Sequence, residues 1–331
     1  MKISVVVCTR DRPETVGEAI VSIAGCDYPD YDVHIMDQST NELTKQITDE
    51  LAQKFATQCP INYHFLEKAG LSRAYNSGIK VSDGEIVAFT DDDCIVPKNW
   101  LSQIAAEFNQ DPDVSLLYGQ VLKPASLLED AIAHKIIVPD LEFRIREKLG
   151  KTSKFRVIGM GANMAIRRSI TDLVKGFDEA LGGGGPLRSA QDYDFAYRTF
   201  RFGSTVLLAP DVKADHYGTR LPEQWPVTMQ NYGIGDGAFY WKHVRCGDST
   251  ALLMLTKLML RSWAREAKSF VTTGKLKKDL YGRFLWKGIR EANKFGIDKK
   301  FRLYEETDRG KMVVTNANAV TTTTRDGGVA K

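Results

Sequence analysis

Residues 3–8, I-S-V-V-V-C, form a continuous run dominated by β-branched apolar side chains. Such a run fits a strand covered on both faces, because a half-exposed strand would alternate apolar with polar. A polar loop follows, and Pro13 and Glu14 open a helical stretch through residue 23; proline is tolerated in a first helical turn. The alternation continues with a strand at 33–36 ending on Asp37, a helix at 42–55, a strand at 63–66 and a helix at 71–80. A fourth strand at 85–90 ends at Asp91, Asp92 and Asp93. Strand and helix in strict succession predict a doubly wound α/β sheet. Ligands of such sheets bind beyond the carboxyl ends of the strands. Asp37 and the 91–93 cluster both fall there, so two acidic strand ends are expected to face one crevice.

The rest of the chain is mixed, then helical. The pattern predicts a helix at 100–109, strands at 114–121 and 157–166, a glycine loop at 182–186, a helix at 190–202 and a short strand at 206–208. Beyond about residue 222 the periodicity is helical, and from 312 onward periodicity and apolar content are lost, which predicts a disordered tail. The division expected is a domain at 1–222 (halves 1–118 and 119–222), a helical extension at 223–311 and the tail at 312–331. No internal repeat is evident.

Net charge is only +3, which gives no reason to expect nucleic acid. The distribution is uneven. Residues 242–311 carry 18 Lys and Arg against 8 Asp and Glu, whereas residues 1–241 carry 25 against 33. This asymmetry points the C-terminal part at something anionic, with a membrane surface one candidate. Five widely spaced cysteines without a C-x-x-C pair argue against a disulfide framework or a zinc knuckle. No signal-peptide pattern opens the chain, and the most apolar stretch, 251–260, is half of what a spanning helix needs. The expectation is a cytoplasmic protein that does not cross the membrane.

Along an extended chain alternate residues share a side, so Asp91 and Asp93 are expected to aim together with Asp92 opposed. Two like charges ~4 Å apart repel by about 4 kcal/mol at an effective dielectric of 20. Protonation, a basic partner or a divalent cation would relieve this, and hard carboxylate oxygens suit Mg²⁺ or Mn²⁺ shared with substrate phosphates. A solvated acidic turn ahead of Pro97 is the plainer alternative.

Seven segments in order resemble glycosyltransferase family 2, the inverting nucleotide-sugar enzymes of the GT-A fold. They are S-V-V-V-C-T-R-D-R at 4–12, H-I-M-D-Q-S-T at 34–40, G-L-S-R-A-Y-N-S-G-I at 70–79, G-E-I-V-A-F-T-D-D-D-C at 84–94, G-A-N-M-A-I-R-R at 161–168, G-F-D-E at 176–179 and Q-D-Y-D at 191–194. The resemblance covers residues 1 to about 220. It implies a mostly parallel central sheet flanked by helices, with a C-terminal helical extension. On the donor side it implies Thr9, Arg10, Asp37, Arg73, Asp91 and Asp92, with Thr9 and Asp37 at the nucleoside and Arg73 at the diphosphate. It implies Asp91 and Asp93 as the D-x-D, Asp93 as the direct ligand of Mn²⁺ or Mg²⁺, and His216 beside the metal. Asp192 would be the catalytic base, with Gln191, Asp194 and Gly184 toward the acceptor. The family usually has Glu where Gln191 stands, which puts acceptor positioning in doubt.

The implied reaction is transfer from a nucleotide-sugar, a UDP-sugar foremost with GDP or dTDP as alternatives, to a saccharide or lipid-linked acceptor. A non-catalytic nucleotide-sugar-binding module is the rival, motivated by Gln191. A nucleotidylyltransferase ranks lower because the first loop, C-T-R-D-R-P, lacks a glycine-rich character; an oxidoreductase would need a G-x-G-x-x-G that is missing. Individual residues also have plainer readings: Arg73 as a surface arginine, His216 as an ordinary strand-end histidine, and Asp194 as an exposed residue paired with Arg198 at i+4. The 182–185 glycines read as a linker or as a loop that closes over substrate. Leu252, Leu255, Met259, Trp263, Ala267 and Phe270 form an apolar stripe opposite Lys257, Arg261, Arg265 and Lys268. That stripe fits either packing against the domain or contact with a membrane through 250–290, with Trp286, Lys275, Lys277 and Lys278 nearby. The segment N-Y-G-I-G-D-G-A at 231–238 resembles a helix found in some relatives that act on lipid-linked acceptors.

Overall fold

The computed structural model describes residues 1–124, 147–149, 159–218, 222–274 and 280–305. The N-terminal part runs β1 (Ile3–Thr9), α1 (Pro13–Ala24), β2 (Tyr31–Asp37), α2 (Leu43–Lys54), β3 (Ile61–Phe65), α3 (Leu71–Val81) and β4 (Ile86–Asp91). It continues with β5 (Cys94–Ile95), α4 (Trp100–Gln110), β6 (Val114–Leu122), β7 (Glu147–Leu149), β8 (Asn163–Arg167), α5 (Ile170–Val174), α6 (Gln191–Arg201) and β9 (Thr205–His216). The C-terminal elements are α7 (Trp225–Arg245), α8 (Ser249–Thr273), α9 (Leu280–Ala292) and a hairpin of β10 (Gly296–Asp298) and β11 (Leu303–Glu305). The expected tail from 312, and Lys275, Lys277 and Lys278, lie outside the described residues.

One sheet orders its strands β3-β2-β1-β4-β8-β6-β9-β5, with β7 also on β9. The first four are parallel, and β8 then turns the sheet antiparallel. The apolar run at the start of the chain forms β1 at the centre of this parallel group, with Ile3, Val5, Val6 and Val7 all at 0 % exposure. Val16, Ile20 and Ile23 recur along one face of α1 and pack beneath it. Chain order reverses between β1 and β4, and the register sets Cys8 opposite Asp91 and Thr9 opposite Asp37. The two acidic strand ends therefore flank the tip of β1, each one strand spacing of ~4.8 Å away.

β9 is much longer than the 206–208 expected. Its second half alternates exposed Asp211 and Lys213 with buried Val212 and Ala214. Pro210 obscures that pattern, because it cannot donate a ladder hydrogen bond. The sheet accommodates it by a register shift between Gly119 and Gln120 of β6, whose partners are Ala209 and Lys213. The extension carries the strand to His216, which pairs with Cys94. The strand expected at 157–166 begins at Asn163, with 157–158 outside the described residues.

The helical extension grips the sheet domain through buried charge. The i+4 pairing of Asp194 with Arg198 is present, at 2.8 Å, but Asp194 is fully buried, not exposed. Its other oxygen meets Lys242 at 2.6 Å and His243 at 3.0 Å, both on α7. Lys242 also bonds Asp178, which accepts the backbone N–H of Tyr304. Two carboxylates thus balance a lysine and an arginine in the interior. Asp194 therefore joins the two parts of the chain and does not line an acceptor cleft. Glycines let α7 and α9 touch: a Cβ on Gly237 would stand 2.1 Å from the Leu285 carbonyl oxygen, and one on Gly288 equally close to that of Ile234. Of the apolar stripe on α8, Leu255 is packed and Met259 partly so, whereas the other members are not. Ala251, Leu255 and Ser262 are buried, while Leu252, Trp263 and Phe270 are exposed.

Removing one member of a buried ion cluster strands its partners, which costs about 3–5 kcal/mol. Asp194→Ala should lose that much in urea unfolding, and a loss under 1 kcal/mol would contradict the cluster's role. Burial lowers His243 from 6.5 to about 4, although Asp194 opposes the shift. The unfolded chain therefore takes up this proton before the folded one does. Stability should be full above pH 6.5 and fall by roughly 2–3 kcal/mol as pH drops toward 4. Lys242 and Arg198 hold Asp194 well below the carboxylate range, which adds to the fall only below about pH 4. Melting temperature against pH should flatten between 6.5 and 4 in His243→Gln.

Candidate active site

β4 delivers Asp91 at its last position, and a turn places Asp92 and Asp93 before β5 begins. Asp92 leans toward β1: its Oδ2 accepts the Thr9 hydroxyl at 2.7 Å and its Oδ1 the Arg12 guanidinium at 3.0 Å. Asp91 and Asp93 share a different neighbour. His216 Nε2 stands 3.9 Å from Asp91 Oδ2 and 3.4 Å from Asp93 Oδ1. The other Asp93 oxygen meets Arg12 at 3.1 Å. His216 is held tightly, since a Cβ on Gly218 would lie 2.3 Å from its Cε1 and 2.7 Å from Asp93 Oδ2.

Negative charge dominates this strand end. Burial pushes the Asp91 carboxyl well above its ordinary range, and Asp93, Asp92 and Asp192 push it further. Burial raises Asp92 too, with Arg12 and Thr9 opposing. Asp93 Oδ1 is buried and accepts no hydrogen bond. A buried acceptor left unsatisfied costs about 1–3 kcal/mol, more when charged. Donor atoms of Asp93, Cys94 and His216 lie within 4.8 Å of one another. Burial, with Asp91 and Asp93, keeps the Cys94 thiol protonated by raising it well above its usual value. A carboxylate oxygen that accepts no hydrogen bond, a second carboxylate and an imidazole fit a divalent cation of the Mn²⁺ or Mg²⁺ kind.

Asp192 sits in the first turn of α6, half-buried. Its Oδ2 accepts the Gly161 N–H at 3.1 Å and its Oδ1 the N–H of Tyr193 at 2.9 Å. The Tyr118 hydroxyl donates to its backbone carbonyl at 2.9 Å. Burial raises its carboxyl above the ordinary value despite these donors. The residue is thus fixed in place yet holds a proton more readily than a surface aspartate.

The remaining sequence-derived residues are distributed as follows. Thr9 orients Asp92. Arg10 is exposed and lies 3.7 Å from Asp11. Asp37 is at 0 % exposure, with Oδ1 accepting the Ser39 N–H at 2.9 Å and Oδ2 the Tyr63 hydroxyl at 2.8 Å. Arg73 turns to Glu179 at 3.1 Å and to the Ala69 carbonyl at 2.9 Å. Gln191 is buried against the glycine loop, where a Cβ on Gly182 would stand 3.3 Å from its own. Gly184, at φ +75°, rests on Gly70, and the Gly183 carbonyl accepts the Leu71 N–H at 2.8 Å, docking this loop on the start of α3.

Three contributors were not singled out from sequence. Arg12 is the cation between Asp92 and Asp93; its position beside the acid cluster depends on β1 and β4 being neighbours. Tyr75 is buried, its hydroxyl accepting and donating nothing, and a Cβ on Gly161 would fall 2.6 Å from that oxygen. Asp236 on α7 accepts the Tyr281 hydroxyl; burial pushes it up to about 6, and the charge of Asp192 adds to the shift. The N-Y-G-I-G-D-G-A segment was the available signal for it.

Arg12 is half exposed, so its ion pairs contribute about 1 kcal/mol or less. Arg12→Gln should lower the melting temperature slightly in chelator and enlarge the stabilisation by Mn²⁺, since the cation then meets less competing charge. Equal Mn²⁺ shifts in both proteins would argue against a shared site.

Comparison with known proteins gives the family and the fold. Glycosyltransferase AglE of Haloferax volcanii is 25% identical over 234 residues, 68% of this chain and 71% of the relative. Poly(ribitol-phosphate) beta-N-acetylglucosaminyltransferase TarS of Staphylococcus aureus is 24% identical over 227 residues, 66% of this chain but only 36% of TarS. The structure of TarS 1-349 in complex with UDP superposes with a TM-score of 0.52 at 20% identity, covering 71% of this chain and 65% of that one. Mannosyltransferase PcManGT from Pyrobaculum calidifontis, in complex with GDP-Man and Mn²⁺, superposes with a TM-score of 0.56 at 16% identity, covering 97% of this chain and 76% of that one. These likenesses show a GT-A fold with a C-terminal helical extension. The family model for Glycosyl transferase family 2 matches residues 4–173, and the chain belongs to that family.

Proposed function

We propose that this chain is a metal-dependent, inverting glycosyltransferase that moves a sugar from a nucleotide-sugar donor to a hydroxyl of a saccharide or lipid-linked acceptor. The observation that carries the reading is one buried, unsatisfied carboxylate oxygen on Asp93, beside His216, with a separately held Asp192 within electrostatic reach of Asp91. The complexes of TarS with UDP and of PcManGT with GDP-Man and Mn²⁺ support a nucleotide-sugar donor and a divalent ion. UDP-sugars lead, with GDP-sugars as the alternative. An imidazole among the ligands favours Mn²⁺ over Mg²⁺. Residues 1–222 are proposed as the catalytic domain, 1–118 for the donor and 119–222 for the acceptor, with 223–311 as the extension.

The division of labour follows from the groups present. Asp91, Asp93 and His216 would hold the cation, which neutralises charge on the departing diphosphate. Thr9 and Arg12 keep Asp92 away from that position. Asp192 would take the proton of the attacking acceptor hydroxyl, its two oxygens aimed by the N–H groups of Gly161 and Tyr193. Its raised affinity for a proton brings it nearer to the working pH, which favours general-base action. A single displacement from the face opposite the leaving group inverts the anomeric centre.

Asp192→Asn should cut transfer by about 10²–10⁴-fold while leaving metal-dependent stabilisation by the donor intact in a thermal-shift panel of UDP-, GDP- and dTDP-sugars. Asp93→Ala should abolish that stabilisation. Transfer at wild-type rate by Asp192→Asn would remove the base assignment; donor binding by wild type and Asp192→Asn with turnover by neither would favour a binding module. In the wild type, kcat/KM should fall on the acid side as Asp192 protonates, at a pH above the ordinary aspartate range. The same curve with an acid limb at pH 4 or lower would contradict a raised base.

A further inference from the structure

The outer side of α8 presents apolar surface that folding leaves uncovered. Leu255 and Ser262 face inward, whereas Leu253, Leu260 and Val271, close to the opposite side at 3.6 residues per turn, are 55%, 53% and 83% exposed. Trp263 and Phe270 border them at 54% and 56%. Trp286 of α9, 48% exposed, lines one groove with Trp263. Packing against the sheet domain therefore does not explain these side chains.

Charge indicates what covers them. Lys257, Arg261 and Lys268 are exposed along one flank of the apolar arc, spaced by four and seven residues. Glu266 is the sole acidic residue between 249 and 273, and it lies toward the inward side. A solvated surface helix would mix both signs. A second copy of the chain packed antiparallel about a two-fold axis would bring basic flanks together. Apolar centre, basic flank and bordering tryptophans instead match a helix lying in a bilayer interface. No helix among the described residues is long and apolar enough to cross a membrane.

We propose that the outward face of α8 and α9 docks in the plane of a membrane bearing anionic lipid headgroups, with Leu260, Trp263 and Phe270 entering the acyl boundary and Lys257, Arg261 and Lys268 meeting headgroup phosphates. The face contains none of the residues of the acidic centre, so it stands or falls separately from the transferase reading. It would hold the enzyme at the surface where a lipid-linked acceptor resides.

The full chain should be sedimented with phosphatidylcholine vesicles with and without phosphatidylglycerol. Pelleting is expected with the anionic vesicles, at least tenfold weaker with phosphatidylcholine alone, and reversed by high salt. Leu260→Glu/Trp263→Glu should abolish it, with melting temperature unchanged because both side chains are exposed. Lys257→Gln/Arg261→Gln/Lys268→Gln should bind both vesicle types equally and weakly. No pelleting with anionic vesicles, or undiminished pelleting of the Glu variant, would overturn the proposal. So would a concentration-dependent dimer in the absence of lipid that the Glu variant dissolves, since the face would then join two copies.

Discussion

Electrostatic repulsion at the end of β4 is the constraint around which the centre is arranged. Asp91, Asp92 and Asp93 emerge from a buried parallel strand, and the charge of Asp192 reaches Asp91. Arg12 and His216 face this group, and together they leave Asp93 Oδ1 without a hydrogen bond. Burial makes the imbalance expensive, since like charges that water would screen interact through a poorly polarisable interior. A divalent cation and an incoming diphosphate would together relieve the strain and close the site electrically.

A second buried cluster solves a different problem. The helices after residue 222 have to be fixed to the sheet domain, and the Asp194 group does this with charges beside an apolar seam in which Tyr197 and Leu187 meet Phe239 and Ala238. Lys242 reaches Asp194 and Asp178, and His243 completes the group from one turn of α7. Such pairs give little net stability compared with apolar packing but penalise any misplacement heavily. Asp194 is two residues from Asp192 on the same helix, so the geometry that pins α7 also pins the first turn of α6. Asp236 and Tyr281 are carried to the neighbourhood of Asp192 by the same docking. The helical extension is thus tied mechanically to the proposed base.

The parallel half of the sheet was legible because its signals are local. Apolar runs of β-branched residues, a proline at a helix start and aspartates at strand ends specify β1 to β4 through neighbours in sequence. The line of family-like segments marked the same positions. Legibility failed where distant partners decide. β9 was read as three residues because Pro210 breaks a pattern that β6 accommodates by a register shift. Asp194 was read as exposed because its i+4 partner alone suggests a surface pair, and Lys242, forty-eight residues later, puts it in the interior. On α8 periodicity revealed amphipathicity but not which side packs, and the stripe divided, with Leu255 packed and Trp263 and Phe270 facing outward.

Sequence alone therefore determined the chemical inventory and the local geometry: acidic strand ends, a carboxylate at a helix start, a basic C-terminal segment and the order of elements. Strand alternation and helical periodicity depend on residues a few positions apart, so these features can be read along the chain. Tertiary structure decided the pairings: Arg12 and Thr9 on Asp92, His216 between Asp91 and Asp93, Gly161 on Asp192, and Lys242 on Asp194. Each joins residues separated by between thirty and over a hundred positions, where topology and burial, not chain proximity, set which charges meet.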